Sequence, residues 1–313
     1  MSIRIGIGTA LGATALSPAD YWRWVDLCET AGIDSIWHSD QILGEQLDPM
    51  TMLAALAART SRIRFGTNAL VVPFRDPIVT AKEFAAIDYL SEGRLFPVLG
   101  VGRADDAYWA ATGADRGERG RRANEAIALI RQLLTRDEVD FSGIHYRYHG
   151  PGVQPRPPRA IPLWIGGQSS AAIRRTAAIG DGWLGSFAAP DKAGEAKRNI
   201  QSALADNGRI IEDDHYGMSL PMRIGSVDDP AVAAVRDRLA KRLPPDERTA
   251  FTDSFAAGPT DQVIDLLCRY VAAGMSKFVM LPLVGDAAGL IEQTRLLLDH
   301  VIPAIEDRVP AAA

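Results

Sequence analysis

The feature that most restricts the fold of this chain is a junction that recurs along it, where a helical stretch stops and a short apolar strand starts at once. Ala31-Gly32 runs into Ile33-Asp34-Ser35-Ile36-Trp37, and Ala273-Gly274 runs into Met275-Ser276-Lys277-Phe278-Val279-Met280. Gly32 and Gly274 suit the left-handed position that closes a helix, because glycine reaches positive φ without a clash at Cβ. Similar junctions stand at Arg62-Ile63-Arg64-Phe65, Gly93-Arg94-Leu95-Phe96 and Gly180-Asp181-Gly182-Trp183-Leu184. Helix starts are equally legible. Ser17-Pro18, Asp48-Pro49 and Asp76-Pro77 each set a capping side chain before a proline at the first helical position. Helical patterns follow over 21–30, 50–59, 79–90 and 121–134.

Strands alternating with helices of this length predict parallel βαβ units. Eight strands are expected, at 3–7, 35–38, 63–68, 95–100, 163–165, 182–186, 218–224 and 277–281. Eight strands with intervening helices favour an α/β fold of the closed (β/α)8 TIM-barrel type over an open doubly wound sheet. Gly6, Gly8 and Gly12 do not form a Gly-x-Gly-x-x-Gly turn into a helix, which argues against a dinucleotide fold. Two stretches interrupt the alternation. Residues 137–162 read as a small β-hairpin with Ser142-Gly143 as its turn and a second strand starting at His145, followed by a proline-rich connection. Residues 225–259 read as a helical insertion before the last strand. No low-complexity linker divides the chain, so one domain is expected over 1–313.

Composition narrows the partners. Lys plus Arg is 34 against 39 Asp plus Glu, a formal charge of −5, so no basic surplus invites nucleic acid. No apolar run approaches the ~20 residues of a membrane span. The chain enters its first strand directly, without a basic-then-apolar leader, and its two cysteines, Cys28 and Cys268, fall in helical patterns. The expectation is a cytoplasmic protein without disulfides or membrane contact.

In such a barrel the chemistry sits at the C-terminal ends of the strands. Those ends bring Gly8-Thr9, His38 to Gln41, Asn68-Ala69, Gly100 to Arg103, Gly166 to Ser169, Ser186-Phe187, Arg223 and Pro282 into view. The strongest local feature is Trp164-Ile165-Gly166-Gly167-Gln168-Ser169-Ser170. Two glycines let the backbone approach a ligand, and a helix then opens with free N–H groups suited to phosphate. By spacing alone the same run reads equally well as a tight turn with an ordinary serine cap. Gly102 and Arg103 stand where a guanidinium would reach the same phosphate. Asp40 would orient a cofactor or substrate, though a plain turn carboxylate is the commoner role. The five histidines form neither His-x-His nor His-Glu-x-x-His, so no metal site is expected. A Gly-x-Ser-x-Gly elbow is absent as well.

A wider set of residues carries a family resemblance. It comprises the run from Arg62 to Pro77 (RIRFGTNALVVPFRDP), Lys82-Glu83, Asp88-Tyr89-Leu90-Ser91-Glu92-Gly93-Arg94, Glu118-Arg119-Gly120-Arg121-Arg122, and Phe141 with Gly143. Ile161-Pro162-Leu163-Trp164-Ile165-Gly166-Gly167 and Ala178-Ile179-Gly180-Asp181-Gly182-Trp183 complete it. The combination resembles the bacterial luciferase-like family, which holds luciferase-like monooxygenases and coenzyme F420-dependent oxidoreductases. The resemblance implies a (β/α)8 barrel, usually a homodimer, that binds reduced FMN or the deazaflavin F420. It places the ring in the barrel mouth and the phosphate at the fifth strand–helix junction. Carried over, Gly166, Gly167, Gln168 and Ser169 would hold the phosphate, with Gly102 and Arg103 helping, and Asn68-Ala69 would form a cis peptide behind the ring.

One position departs from the pattern. Many members have Asp-His or Glu-His at the end of the second strand, and this chain has Asp40-Gln41. Asp40 and Gln41 are therefore the candidate catalytic positions, yet a glutamine cannot transfer a proton near neutral pH. Strand alternation would put His38 and Gln41 on opposite faces unless the strand ends between them. The favoured expectation is hydride transfer between F420 and a small organic substrate. The alternative is an FMN-dependent monooxygenase, supplied with reduced flavin by a separate reductase and using O2. A non-catalytic flavin-binding protein is the reading from another class. By resemblance, helices 49–59 and 77–90 would form the homodimer contact.

Overall fold

The structure, a computed structural model, describes residues 2–9, 16–43, 46–103, 107–226, 228–241 and 251–309. Three helices begin on the caps read from the sequence. For α1 (Pro18–Ala31), Ser17 Oγ accepts the Asp20 N–H at 3.1 Å. For α2 (Pro49–Arg59), Asp48 accepts the Thr51 N–H at 3.0 Å. For α3 (Pro77–Leu90), Asp76 accepts those of Ile78 and Val79 at 2.8 and 3.0 Å. Each cap satisfies a donor that the first helical turn leaves without an acceptor. Gly32 and Gly274 sit at φ of 93° and 92°, the left-handed conformation expected of them.

The strands among these residues are β1 (Arg4–Gly8), β2 (Ser35–His38), β3 (Arg64–Val71), β4 (Leu95–Gly100), β5 (Glu138–Ser142), β6 (Arg147–Pro151), β7 (Trp164–Gly166), β8 (Gly182–Ser186), β9 (Tyr216–Ile224), β10 (Ala256–Gly258) and β11 (Lys277–Pro282). The main sheet runs β10-β9-β11-β1-β2-β3-β4-β7-β8, and β9 also pairs with β8. Eight parallel strands therefore close a ring, alternating with helices, in a TIM barrel. Every expected strand is one of the eight.

Two expectations need correction. The hairpin's second strand starts at Arg147, not His145, and its loop is longer than Ser142-Gly143. The cause is Glu125, whose carboxylate accepts the N–H groups of Ile144, His145 and Tyr146 at 3.1, 2.8 and 3.2 Å and holds them out of the ladder. Burial raises the Glu125 carboxyl, and these three amides more than offset it, leaving its pKa below the usual carboxylate value. Secondly, the insertion at 225–259 is not wholly helical. It contains a helix over Pro230–Ala240 but also β10, whose Ala-Ala-Gly sequence has no strand propensity of its own and pairs with Met222–Ile224.

Two units of dense contacts make up the chain, residues 1–37 with 183–313, and residues 38–182. In the first, β1 pairs with β2 and β11, and β9 with β8 and β11. The Trp24 indole donates to Thr294 at 3.0 Å, tying α1 to the helix Ala287–Leu296. The Gln293 amide extends β9 by accepting the Ile224 N–H at 2.7 Å and donating to the Ile224 carbonyl at 2.9 Å. At the N-terminal strand ends Asp34 pairs with Arg4 (3.2 Å) and the buried Lys277 (3.8 Å), the end of a barrel where ionic residues serve stability.

The second unit carries β3, β4, β7 and the β5–β6 hairpin. The Arg94 guanidinium fastens the C-terminus of α2 by donating to the carbonyls of Ala57, Thr60 and Ile63 at 3.2, 2.7 and 2.9 Å. Asp181 accepts the Leu163 N–H (2.9 Å) and pairs with Arg131 (2.8 Å), which sets the entry into β7.

Candidate active site

All of the candidate cofactor and catalytic residues lie within the unit 38–182. Their arrangement starts from an irregularity in β3. Thr67 pairs with Pro97 and Leu70 with Leu99, so Asn68 and Ala69 together face Val98 alone. This is a bulge, a device that re-aims residues at the rim of a barrel. The buried Thr67 hydroxyl donates to the Val98 carbonyl at 2.8 Å and accepts the Val98 N–H at 3.0 Å, replacing the backbone pairing that the bulge displaces. The Asn68–Ala69 peptide is cis, where the resemblance implied it. The Ala69 methyl fills a slot between two glycines. A Cβ on Gly100 at the end of β4, or on Gly166 at the end of β7, would lie 3.3 Å from it. Larger residues at either position would push the bulge away.

Beyond Gly166 the chain turns through Gly167, at φ +111°, into α4 (Ser170–Ile179). Ser169 caps this helix, accepting the Ala172 N–H on its hydroxyl (3.2 Å) and the Ile173 N–H on its carbonyl (3.0 Å). The N–H groups of Ser170 and Ala171 have no acceptor within the helix, and they point out of its positive end. A Cβ on Gly167 would stand 3.3 Å from Ala172 and fill the space before the turn. Gln168 and Ser169 are exposed beside it. The half of the helix away from the turn is anchored by the buried Arg175, which donates to Asn124 and to the Gly120 carbonyl. This cradle fits a phosphate group, with backbone donors, a helix dipole and glycines that bring no side chain of their own.

Gly102 and Arg103 follow β4. Gly102 has φ +72°, and a Cβ there would come within 2.8 Å of Val71. The Arg103 side chain is exposed, and its carbonyl accepts the Trp109 indole N–H at 2.6 Å. Trp109 and Tyr108 pack on Phe74 at ring separations of 4.3 and 4.5 Å, so the segment after β4 rests on the segment after β3. Residues 104–106 lie outside the described residues.

The end of β2 separates three neighbours by environment. The strand ends at His38, which is buried, and burial lowers its pKa to about 4, so the imidazole is neutral. Gln41, past the strand end, is exposed. Asp40 points inward, with its side chain 1 % exposed. Its Oδ2 accepts the Val71 N–H at 2.9 Å and Arg75 Nε at 3.3 Å, and its Oδ1 accepts Arg75 Nη2 at 3.1 Å. The same Nη2 donates to Asp48 at 2.7 Å. Burial alone would lower the Arg75 pKa, but hydrogen bonds and charge from the two carboxylates raise it, so the guanidinium is firmly charged.

Sequence reasoning missed Arg75 and Thr67 as parts of this arrangement, and brought Gly100 into view only as a strand end. Arg75 stands in the quoted Pro73-Phe74-Arg75-Asp76-Pro77 run, but no local spacing marks a partner 35 positions upstream. Among the described residues no three His, Cys, Asp or Glu side chains converge as a metal site. No helix among them is long and apolar enough to cross a membrane.

The family model for luciferase-like monooxygenases matches residues 1–277. An F420-dependent glucose-6-phosphate dehydrogenase of Amycolatopsis mediterranei (strain U-32) is 26 % identical over 307 residues, covering 87 % of this chain and 91 % of its own. The crystal structure of monooxygenase RslO1 from Streptomyces bottropensis superposes with a TM-score of 0.81 at 21 % identity, covering 96 % of this chain and 99 % of that one. An F420-dependent secondary alcohol dehydrogenase in complex with an F420-acetone adduct also superposes at 0.81, with 19 % identity over 97 % and 99 % of the two chains. With the bulge within β3, the glycine cradle after β7 and a family match over nearly nine-tenths of the length, this chain belongs to the luciferase-like monooxygenase family and is an oxidoreductase enzyme.

Proposed function

We propose that this enzyme transfers hydride between coenzyme F420 and a small organic substrate. One observation carries the reading. The Ala69 methyl abuts Gly166, so the bulge that would seat a tricyclic ring adjoins the turn that would hold a phosphate, as a flavin-like cofactor requires. The full-length similarity to F420-dependent glucose-6-phosphate dehydrogenases supports F420 over other cofactors of this shape.

In this reading Gly166, Gly167, Gln168 and Ser169 hold the cofactor phosphate, with Gly102 and Arg103 at its side, and Asn68-Ala69 backs the ring. When bound, F420 supplies a two-electron hydride carrier. Of the two candidate catalytic positions, Gln41 is free to orient a polar group of the substrate by hydrogen bonds, accepting at Oε1 and donating from Nε2. It holds no transferable proton, so the proton that accompanies hydride leaves with water or the substrate. Asp40 is fully engaged by Arg75 and Val71 and acts on the backbone rather than on the substrate. The exposed stripe of α3, where Val79, Tyr89 and Leu90 are 55, 65 and 58 % exposed, together with the accessible Ala54, Ala55 and Ala58 of α2, is the face through which a cytoplasmic homodimer would form.

A second reading, an FMN-dependent monooxygenase fed by a separate reductase, uses the same cradle, which does not distinguish one phosphate from the other. Titration of the protein with F420 and with FMN, followed by oxygen uptake with reduced FMN, separates the two. Micromolar binding of F420 with no oxygen uptake is the expected result. Binding of neither cofactor would overturn both readings and the non-catalytic flavin-binding one as well.

A further inference from the structure

We infer that Arg75 is a positioning residue for the cofactor ring: through Asp40 it holds the Val71 amide and thereby fixes the Asn68-Ala69 shelf. The inference rests on the proposal that this shelf seats the ring.

β2 stops at His38 while its neighbour β3 continues to Val71. The N–H of Val71 goes instead to a side chain, the carboxylate of Asp40. The bulge is thus flanked by two side-chain substitutes for the ladder, Thr67 on Val98 before it and Asp40 on Val71 after it. Between them the Ala69 methyl occupies the slot left by Gly100 and Gly166. A small slip at Val71 would therefore move the shelf out of register with the turn that follows β7.

Asp40 cannot keep that place alone. With its side chain 1 % exposed, a carboxylate needs several donors to satisfy its oxygens and fix its orientation. Arg75 supplies two of the three, from Nε and Nη2, and its own orientation is set by Asp48, the cap of α2. A guanidinium suits this task because its planar fork engages two carboxylates at set angles. A lysine would keep the charge and lose the fork. A buried ion pair adds little net stability compared with apolar residues of the same volume, so geometry is the better account of its presence.

The test uses the full-length chain, wild type beside Arg75→Met and Arg75→Lys. Three quantities are read: amide exchange of the 67–72 segment in the protein alone, the affinity for F420, and the induced circular dichroism of F420 at saturation, which reports ring geometry and not occupancy. In Arg75→Met the exchange at Val71 should quicken by at least about tenfold. The induced band should shrink or change shape at saturation, while affinity for inorganic phosphate stays within about threefold, since the cradle is separate. Arg75→Lys should fall between, and it replaces the methionine variant if that one does not fold. Unchanged exchange at Val71, or an unchanged induced band in a variant that binds F420, would overturn the inference and leave the functional reading standing. Failure of the wild type to bind F420 or FMN at all would overturn that reading and the inference with it.

Discussion

Gly167→Val tests the phosphate cradle, and its two consequences differ in size. Gly167 sits at φ +111°, a region L residues seldom occupy, so a side chain there costs about 1–3 kcal/mol of folding stability. The first added carbon would also press on Ala172 at 3.3 Å. Against a typical reserve of about 5–15 kcal/mol the protein should stay folded, with a melting temperature lower by a few degrees. Binding suffers more. The valine branches occupy the space before the Ser170 and Ala171 amides, and a phosphate displaced from both loses two charge-assisted hydrogen bonds of about 1.5–3 kcal/mol each. That is a loss of about 10²–10⁴ in affinity. Calorimetric titration with F420 and FMN, beside circular dichroism melts, measures both effects on one preparation. Ser169→Ala should lose about 1 kcal/mol of helix-cap stability with only a modest fall in affinity, and Arg103→Ala should weaken binding modestly without touching the fold. Riboflavin, which has a flavin ring and no phosphate, should bind far more weakly than FMN if FMN binds at all. A folded Gly167→Val protein with wild-type affinity, or equal affinities for riboflavin and FMN, would place the phosphate elsewhere.

Gln41→Ala should retain measurable turnover, because removing a group that transfers no proton spares the roughly 10²–10⁴-fold loss seen when a general acid or base is removed; a loss of that size in steady-state rates would make the amide essential. Burial holds His38 neutral with a pKa of about 4 against 6.5 in the unfolded chain, so between those values the unfolded state binds the extra proton and stability falls as pH drops. His38→Gln should therefore remove about 3 kcal/mol of the stability that the wild type loses between pH 7 and pH 4, read from denaturation of both proteins at each pH; parallel curves would refute the neutral assignment. Light scattering at micromolar concentration should give a dimer for the wild type, and Tyr89→Glu with Leu90→Glu should give a monomer. A monomeric wild type would reject the α2–α3 face as a contact.

How far the sequence could be read depended on the range of the forces involved. Ser17, Asp48 and Asp76 act on amides two or three positions away, and Gly32 and Gly274 answer only to their own backbone angles, so helix ends and strand starts are written locally. Eight such alternations leave few closed topologies, which is why the barrel and its strand list followed from pattern alone. The glycine turn at 166–167 was visible for the same reason. The environment of Asp40 was not, because its partners Val71 and Arg75 lie 31 and 35 positions on and meet it only in the folded chain. The slot that takes Ala69 draws on the ends of β4 and β7, and Glu125 holds its hairpin loop from a helix some 20 positions before it. β10 forms only because β9 offers it an edge. Chain order and local chemistry determined which elements this protein has. Strand register, which packing sets over the whole sheet and no short segment encodes, decided which residues meet at its candidate site.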